Sequence, residues 1–490
     1  MSIKTCPLTG QDIIIKMIYS FYKSDSAQLF SFSSGHLGAL PFSDRQLLSL
    51  FEINGFSQVL QLSRLIIIEL VKFLILTIFP FKNLLLILRT TLRKTLGKRP
   101  DTIYKLSVMS LGNHIFEKDP YFGVLLRSLD EKFNYLKIVG GFNFKSSGYI
   151  FVESGLSYLS LGKVIFSILL SPFFSIIYLI GCARKLDRLL DRAIFIILSL
   201  KEINSGSFNG NKVITKSIEA WLEDTKINKF LYPMEGRNWE KNIVKGMSKS
   251  KVKSIGYLHC ALTPRHFSLN QTGFYQEESI PDIIIAPSEM CAKILNSTFP
   301  KVTVRNGFFL RGSRGSGGNE GIKHGTDTLL FALTGNIEES GQILSHLFES
   351  KVQECYKIVI RLNPNTSSYM YLQELVERYK FILYREQKDY LPSVCFFRSS
   401  SVALDYLRLG VLPVYINLGE IVSNNVFELD NKYQFESVDF SKDKEMSIDL
   451  SQNIKKIVDI KSKSVLNGAE MSDYYLNQSY NSRMLVQLLN

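Results

Sequence analysis

Four short segments of the 490-residue chain carry acids, bases and phosphate-handling side chains where an apolar run gives way to polar residues. In Leu231 to Glu240, LYPMEGRNWE, the run stops at Glu235, Gly236 permits a turn, and Trp239-Glu240 open a helix. Glu235 would stand at the carboxyl end of a strand, where open α/β sheets place their ligands. Glu240 in a first helical turn complements the helix dipole without any ligand, the alternative being a contact to acceptor or phosphate. In Ile255 to His266, IGYLHCALTPRH, a second run delivers His259 to the same edge, with Arg265 and His266 in the loop beyond it. Two imidazoles and a guanidinium so close together suit a phosphate or a sugar hydroxyl better than a core.

The other two segments point to phosphate. In LTGN, Gly335-Asn336 lets backbone N–H groups approach an anion where a helix begins, though a tight turn alone explains a lone glycine equally well. IVIRLNPN and FFRSSSVALDYLRLGVLPVYI each end a strand in polar residues, with Arg361, Asn363 and Pro364 in one and Arg398 in the other. Ser399, Ser400 and Ser401 precede a helix, and three hydroxyls exceed what one N-cap needs. Arg361 and Arg398 are permanent cations able to fork a phosphate.

These residues need a scaffold that brings strand ends to one edge. KFLYPM, KSIGYLH, PDIIIAPS and KVTVRNG read as strands, interleaved with the helices WEKNIVKGMSK and EMCAKILNSTF. A second alternating series runs DTLLFALTG, SGQILSHLFESKV, YKIVIRLNP, YMYLQELVERY, KFILYR, VCFFRSSS, VALDYLRLG and VLPVYI. Alternation at this spacing predicts parallel sheets covered on both faces. The expected organisation is an α/β fold of two Rossmann-like domains: residues 1–310, a Gly/Ser-rich linker over 311–326, and residues 327–490, with ligands in the cleft between them. YKLSVMSL and YLKIVGG supply further strands ahead of the first series.

Composition sets the surroundings. Lys and Arg number 58 against 45 Asp and Glu, a net charge of +13 that calls for an anionic partner. Residues 61–100 hold eight of the cations against Glu69 alone, within and on either side of the apolar run LIIIELVKFLILTIFPFKNLLLIL. A second apolar run, Val164 to Ala183, carries no charge over 20 residues and is broken by Ser171-Pro172. Both suit helical segments, at 62–97 and 159–200, that dip into an anionic membrane surface, buried helices in a large core being the alternative. The N-terminus lacks the apolar core of a signal peptide, and the six scattered cysteines suit reduced thiols. No P-loop, HExxH, DxD or GxSxG motif occurs, so no metal ligand set and no cofactor is expected. The basic segments lack a nucleic-acid-binding signature, so nucleic acid is not expected as a partner.

LYPMEGRNWE followed by GYLH resembles the YPxExxxWE and GYxH pattern of a bacterial surface carbohydrate biosynthesis family. The block SSSVALDYLRLGVLPVYI is similar to the serine motif of bacterial sialyl-, polysialyl- and Kdo-transferases, in which a His-Pro motif comes earlier and both grip the nucleotide phosphate of a CMP-sugar. Asn363-Pro364 stands here where those enzymes have His-Pro. The resemblance spans roughly Lys229 to Ile416 and implies a GT-B glycosyltransferase. A nucleotide-sugar donor would bind Gly335, Asn336, Arg361, Asn363, Pro364 and Ser399 to Ser401. Glu235 is then the candidate general base, with His259 second, or a nucleophile if configuration is retained. The expected acceptor is a glycan or lipid-linked glycan, on the cytoplasmic face of the inner membrane. A polyol-phosphate transferase, a sugar-nucleotide epimerase and a non-catalytic membrane scaffold are the competing readings.

Overall fold

The computed structural model describes residues 63–72, 104–111, 119, 121–122, 133–138, 180–181, 184, 189–205, 215, 218–219, 222, 226–310, 323–324, 327–363, 370–384, 390–398, 402–419, 422–430, 432–440, 447–461 and 468–477. Two six-stranded, fully parallel sheets organise them. The first comprises β1 (Tyr104–Leu111), β2 (Phe133–Ile138), β3 (Ile227–Met234), β4 (Lys253–Leu258), β5 (Ile283–Ala286) and β6 (Thr303–Asn306), in the order β2-β1-β3-β4-β5-β6. Parallel neighbours cannot be joined by tight turns, so helices cross between them. Beyond α1 (residues 63–72) and α2 (Leu189–Ser205), described below, α3 (Asn238–Lys249) links β3 to β4 and α4 (Glu289–Thr298) links β5 to β6. Cover on both faces explains why β3 is buried without interruption from Phe230 to Met234, and β5 along its whole IIIA run.

The second sheet follows the same logic. A short pair, β7 (Lys323–His324) with β11 (Tyr390–Leu391), stands beside it. The sheet itself holds β8 (Thr328–Ala332), β9 (Lys357–Arg361), β10 (Ile382–Leu383), β12 (Val394–Phe397), β13 (Leu412–Asn417) and β14 (Ser437–Asp439), in the order β10-β9-β8-β12-β13-β14. Its helices are α5 (Ile337–Glu349), α6 (Met370–Arg378), α7 (Val402–Arg408) and α8 (Ser447–Lys461). Of the linker expected over 311–326, only 323–324 falls among the described residues, and it is strand.

Each strand order contains one place where successive connections leave in opposite directions: between β1 and β3 in the first sheet, and between β8 and β12 in the second. There the carboxyl ends open a crevice, the usual ligand position in open α/β sheets.

The last described helix, α9 (Gly468–Tyr475), joins the two units. Ser472 Oγ donates to the Leu404 carbonyl on α7 (2.8 Å), while beyond the helix Asn477 N–H donates to Pro287 O (2.9 Å) and Phe309 N–H to Asn477 O (2.7 Å). One buried apolar cluster consequently runs from Met290 and Leu295 on α4 through Tyr475 to Leu407 and Phe397.

Of the two apolar segments, α1 and parts of 180–200 are described; the rest lies outside the described residues. α1 packs on α2 through Leu65 and Ile66 against Ala193 and Ile197. Glu69 is buried and paired with Lys72 (2.7 Å), and burial lowers the pKa of Lys201 on α2 while the Glu69 carboxylate opposes that shift. The outer side of α1 exposes Ile67, Ile68, Leu70 and Val71. No helix among the described residues is long and apolar enough to cross a membrane.

Candidate active site

The end of β3 and the residue after β4 meet at the crevice of the first sheet. Glu235, one residue past β3, holds His259, one residue past β4, with 3.0 Å between Glu235 Oε1 and His259 Nε2. The other carboxylate oxygen, Oε2, takes both Nε and an Nη of Arg237. A partly exposed acid and a buried base thus share a proton-transfer contact, and a cation fixes the carboxylate from the far side. His259 is 4 % exposed, and its Nδ1 has no hydrogen-bond partner among the described residues. The ring of Tyr121 packs edge-on against the imidazole at 4.6 Å between centroids.

Backbone geometry holds this group in place. Gly236 adopts φ +82°, and a Cβ there would lie 2.3 Å from Ser268 Oγ, so both conformation and space require glycine. Glu240 reaches back from the first turn of α3 and accepts from the N–H groups of Glu235 (3.0 Å) and Gly236 (2.9 Å). Its carboxyl therefore serves the turn, as in a capping box. Glu240 is 1 % exposed, and burial, with Glu235 nearby, pushes its pKa up to about 8. Behind Tyr121, Asp119 Oδ1 accepts from the N–H groups of Tyr121 and Phe122, both at 2.7 Å, and anchors the segment after β1 over His259.

The loop beyond His259 is tied into the fold at both of its candidate residues. His266 Nδ1 faces Thr263 N–H and Thr263 Oγ1, each at 3.0 Å, and burial pushes its pKa down to about 4. It is therefore neutral at physiological pH, a turn-closing acceptor close to Glu235 and His259. Arg265 Nε donates to the Val422 carbonyl (3.0 Å) and so ties this loop to the second unit.

At the second crevice, β8 leads into Thr334-Gly335-Asn336. Thr334 Oγ1 accepts from Asn336 N–H (2.7 Å), and the Asn336 side chain caps α5 by accepting from Glu338 N–H (2.9 Å) and Glu339 N–H (3.4 Å). Gly335 is exposed, and the Asn363 side chain lies 3.7 Å from where its Cβ would be, so these two stand side by side at the ends of β8 and β9. The Arg361 guanidinium lies over the Tyr384 ring at 5.3 Å. Pro364 and Ser399 to Ser401 lie outside the described residues.

Arg398, expected to fork a phosphate, is committed elsewhere. It is 2 % exposed, donates to both carboxylate oxygens of Glu339 (3.2 and 3.3 Å), and also reaches Tyr415 Oη (2.8 Å) and Ile416 O (3.2 Å). A buried guanidinium needs such partners, and finding them makes it a brace between α5, β12 and β13.

Sequence reasoning thus placed Glu235 and His259 at the same crevice and passed over Arg237, Tyr121 and Asp119. Arg237 lay inside the quoted motif, so its charge was the available signal; Tyr121 and Asp119 sit in a segment with no motif. No group of three or more His, Cys, Asp or Glu side chains that could hold a metal occurs among the described residues.

No family model and no curated protein matches the chain. Among solved structures it is similar to a UDP-N-acetylglucosamine 2-epimerase from Rickettsia bellii, at 11% identity and a TM-score of 0.42, covering 79% of this chain and 96% of that one. It is also similar to the UDP-GlcNAc 2-epimerase of Methanocaldococcus jannaschii (12%, TM-score 0.39, 78% and 99%) and to the pneumococcal O-GlcNAc transferase GtfA (11%, TM-score 0.33, 56% and 58%).

Proposed function

We propose that the chain is a GT-B glycosyltransferase that moves a sugar from a nucleotide-activated donor, a CMP-sugar by preference, to a surface glycan. The observation that carries this reading is the Glu235–His259 pair at the crevice of one parallel sheet, with the polar turns Thr334–Asn336 and Arg361–Asn363 at the strand ends of the other. Such a layout supplies a base to one substrate and polar groups to the phosphates of a second. Glu235, held by Arg237 through one oxygen, takes the proton of the acceptor hydroxyl as the glycosidic bond forms, and His259 holds its other oxygen. If configuration is retained, the same carboxylate acts instead as nucleophile. The start of α5 at Gly335-Asn336, the Ser399 to Ser401 hydroxyls, Arg361 and Asn363-Pro364 receive the donor phosphates and ribose and offset leaving-group charge without a metal.

The direct test is a melting-temperature screen of the full chain with CMP, UDP and GDP. Nucleotide at about 100 times its Kd should stabilise by about 2.7 kcal/mol, with CMP giving the largest shift. Absence of a shift with all three would remove the nucleotide from the reading.

We further propose that the chain works at an anionic membrane surface, on the cytoplasmic side, on a lipid-linked glycan. The exposed Ile67, Ile68, Leu70 and Val71 side of α1 supports this, because contiguous exposed apolar side chains mark contact surfaces. Burying a large aliphatic side chain is worth about 1.5–3 kcal/mol. Replacing Ile67 and Val71 by Ser should therefore weaken binding to vesicles containing phosphatidylglycerol by about tenfold or more in co-sedimentation. Unchanged sedimentation would exclude this face as the contact.

A further inference from the structure

The two best-defined arginines of the fold answer the same problem in opposite ways. Arg398 is sealed, with a carboxylate gripped by both oxygens and a phenol and a carbonyl besides. Arg237 engages a single oxygen of Glu235, through Nε and one Nη, and its side chain is 51% exposed; Glu240 and Tyr121 act on it through charge, and no further hydrogen bond to it occurs among the described residues. A guanidinium carries five N–H donors. An arginine whose only task was to steady Glu235 would sit as Arg398 does, with its donors satisfied inside the fold. The Arg237 side chain instead stays half exposed beside Glu235, with donors that no hydrogen bond among the described residues takes up.

The position of Arg237 is also fixed in advance. Gly236 at φ +82° and the Glu240 carboxyl group on two consecutive N–H groups lock the preceding turn, and Lys241 N–H donates to the Arg237 carbonyl (3.3 Å) as α3 begins. The first turn of α3 has no side-chain cap. A planar fork of donors beside a helix start matches a carboxylate or phosphate, whose two oxygens it can take together.

We propose that Arg237 is a specificity-determining residue that receives a carboxylate or phosphate group on the sugar acceptor; this rests on the first crevice being the acceptor site of the proposed transferase. The acidic group lands on the open side of the guanidinium while Glu235 keeps the other side.

The test titrates the full chain with glucuronate, inorganic phosphate and, as a neutral control, glucose, following melting temperature, for wild type, Arg237→Gln and Arg237→Lys. Glucuronate, phosphate or both should stabilise the wild type and glucose should not; which acid is effective identifies the group. Loss of a charge-assisted pair should weaken apparent anion binding by about tenfold or more in Arg237→Gln, with Arg237→Lys intermediate. The CMP, UDP and GDP shifts, which belong to the second sheet, should persist in both variants and show that they are folded. An anion effect of equal size in wild type and both variants, or none in the wild type, overturns the proposal. An Arg237-dependent anion effect without any nucleotide shift would overturn the nucleotide reading and leave the anion site standing.

Discussion

Glu235→Gln should lower the turnover number by about 10²- to 10⁴-fold, the usual contribution of a general base, with a much smaller change in KM. The amide can still accept from Arg237 and lie against His259, so the crevice keeps its shape while the proton acceptor is lost. His259→Gln should cost less, because it removes a neighbour of the base and leaves the carboxylate. The measurement is single-turnover transfer from whichever activated sugar the nucleotide screen selects, with melting temperature as the control for folding. A Glu235→Gln enzyme within twofold of wild type would take Glu235 out of both the base and the nucleophile role.

The second large effect is on stability and has a sign opposite to expectation from helix propensity. Alanine ordinarily stabilises a helix relative to glycine by about 1 kcal/mol. At Gly468 a Cβ would lie 1.9 Å from the Leu407 carbonyl oxygen and 3.0 Å from Gly410 N, and both are backbone atoms that no rotamer change can move. Gly468→Ala should therefore destabilise by about 3 kcal/mol or more, as overpacking does, by lifting α9 off α7. Urea unfolding followed by limited proteolysis should show an earlier transition and new cleavage near the end of the chain. Gly341→Ala in α5 is the control, since its nearest neighbour, in the Tyr371 ring, would be at an ordinary 3.6 Å. If the two substitutions behave alike, the close approach of α9 to α7 is not what holds that helix.

Much of this architecture was legible in the residues. Runs such as FLYPM and DIIIAPS, too apolar for a sheet with one wet face, announced buried parallel strands, and the polar residues closing them announced the edge where chemistry would sit. Strand order was not legible, because nothing local in β8 says that its neighbours will be β9 and β12. The Arg398 expectation failed for the same reason: an arginine at a strand end looks alike whether a ligand awaits it or Glu339, 59 residues away, already holds it. His266 closes a turn and Arg265 reaches the second unit, contacts that use the same donors and acceptors as ligand binding and so have no separate local signature. Tyr121 and Asp119 join the site only through the β1–β3 pairing, a long-range event without a local signature.

The return of the chain through α9 also bears on how the cleft can move. The backbone leaves the first unit after Leu310, builds the second, and comes back at Asn477 to bond Pro287 and Phe309. The second unit is thus joined to the first by two crossings of the chain, with the shared apolar cluster and the Arg265–Val422 hydrogen bond between them, so drawing the units apart would expose that cluster as well as break the bonds at Asn477.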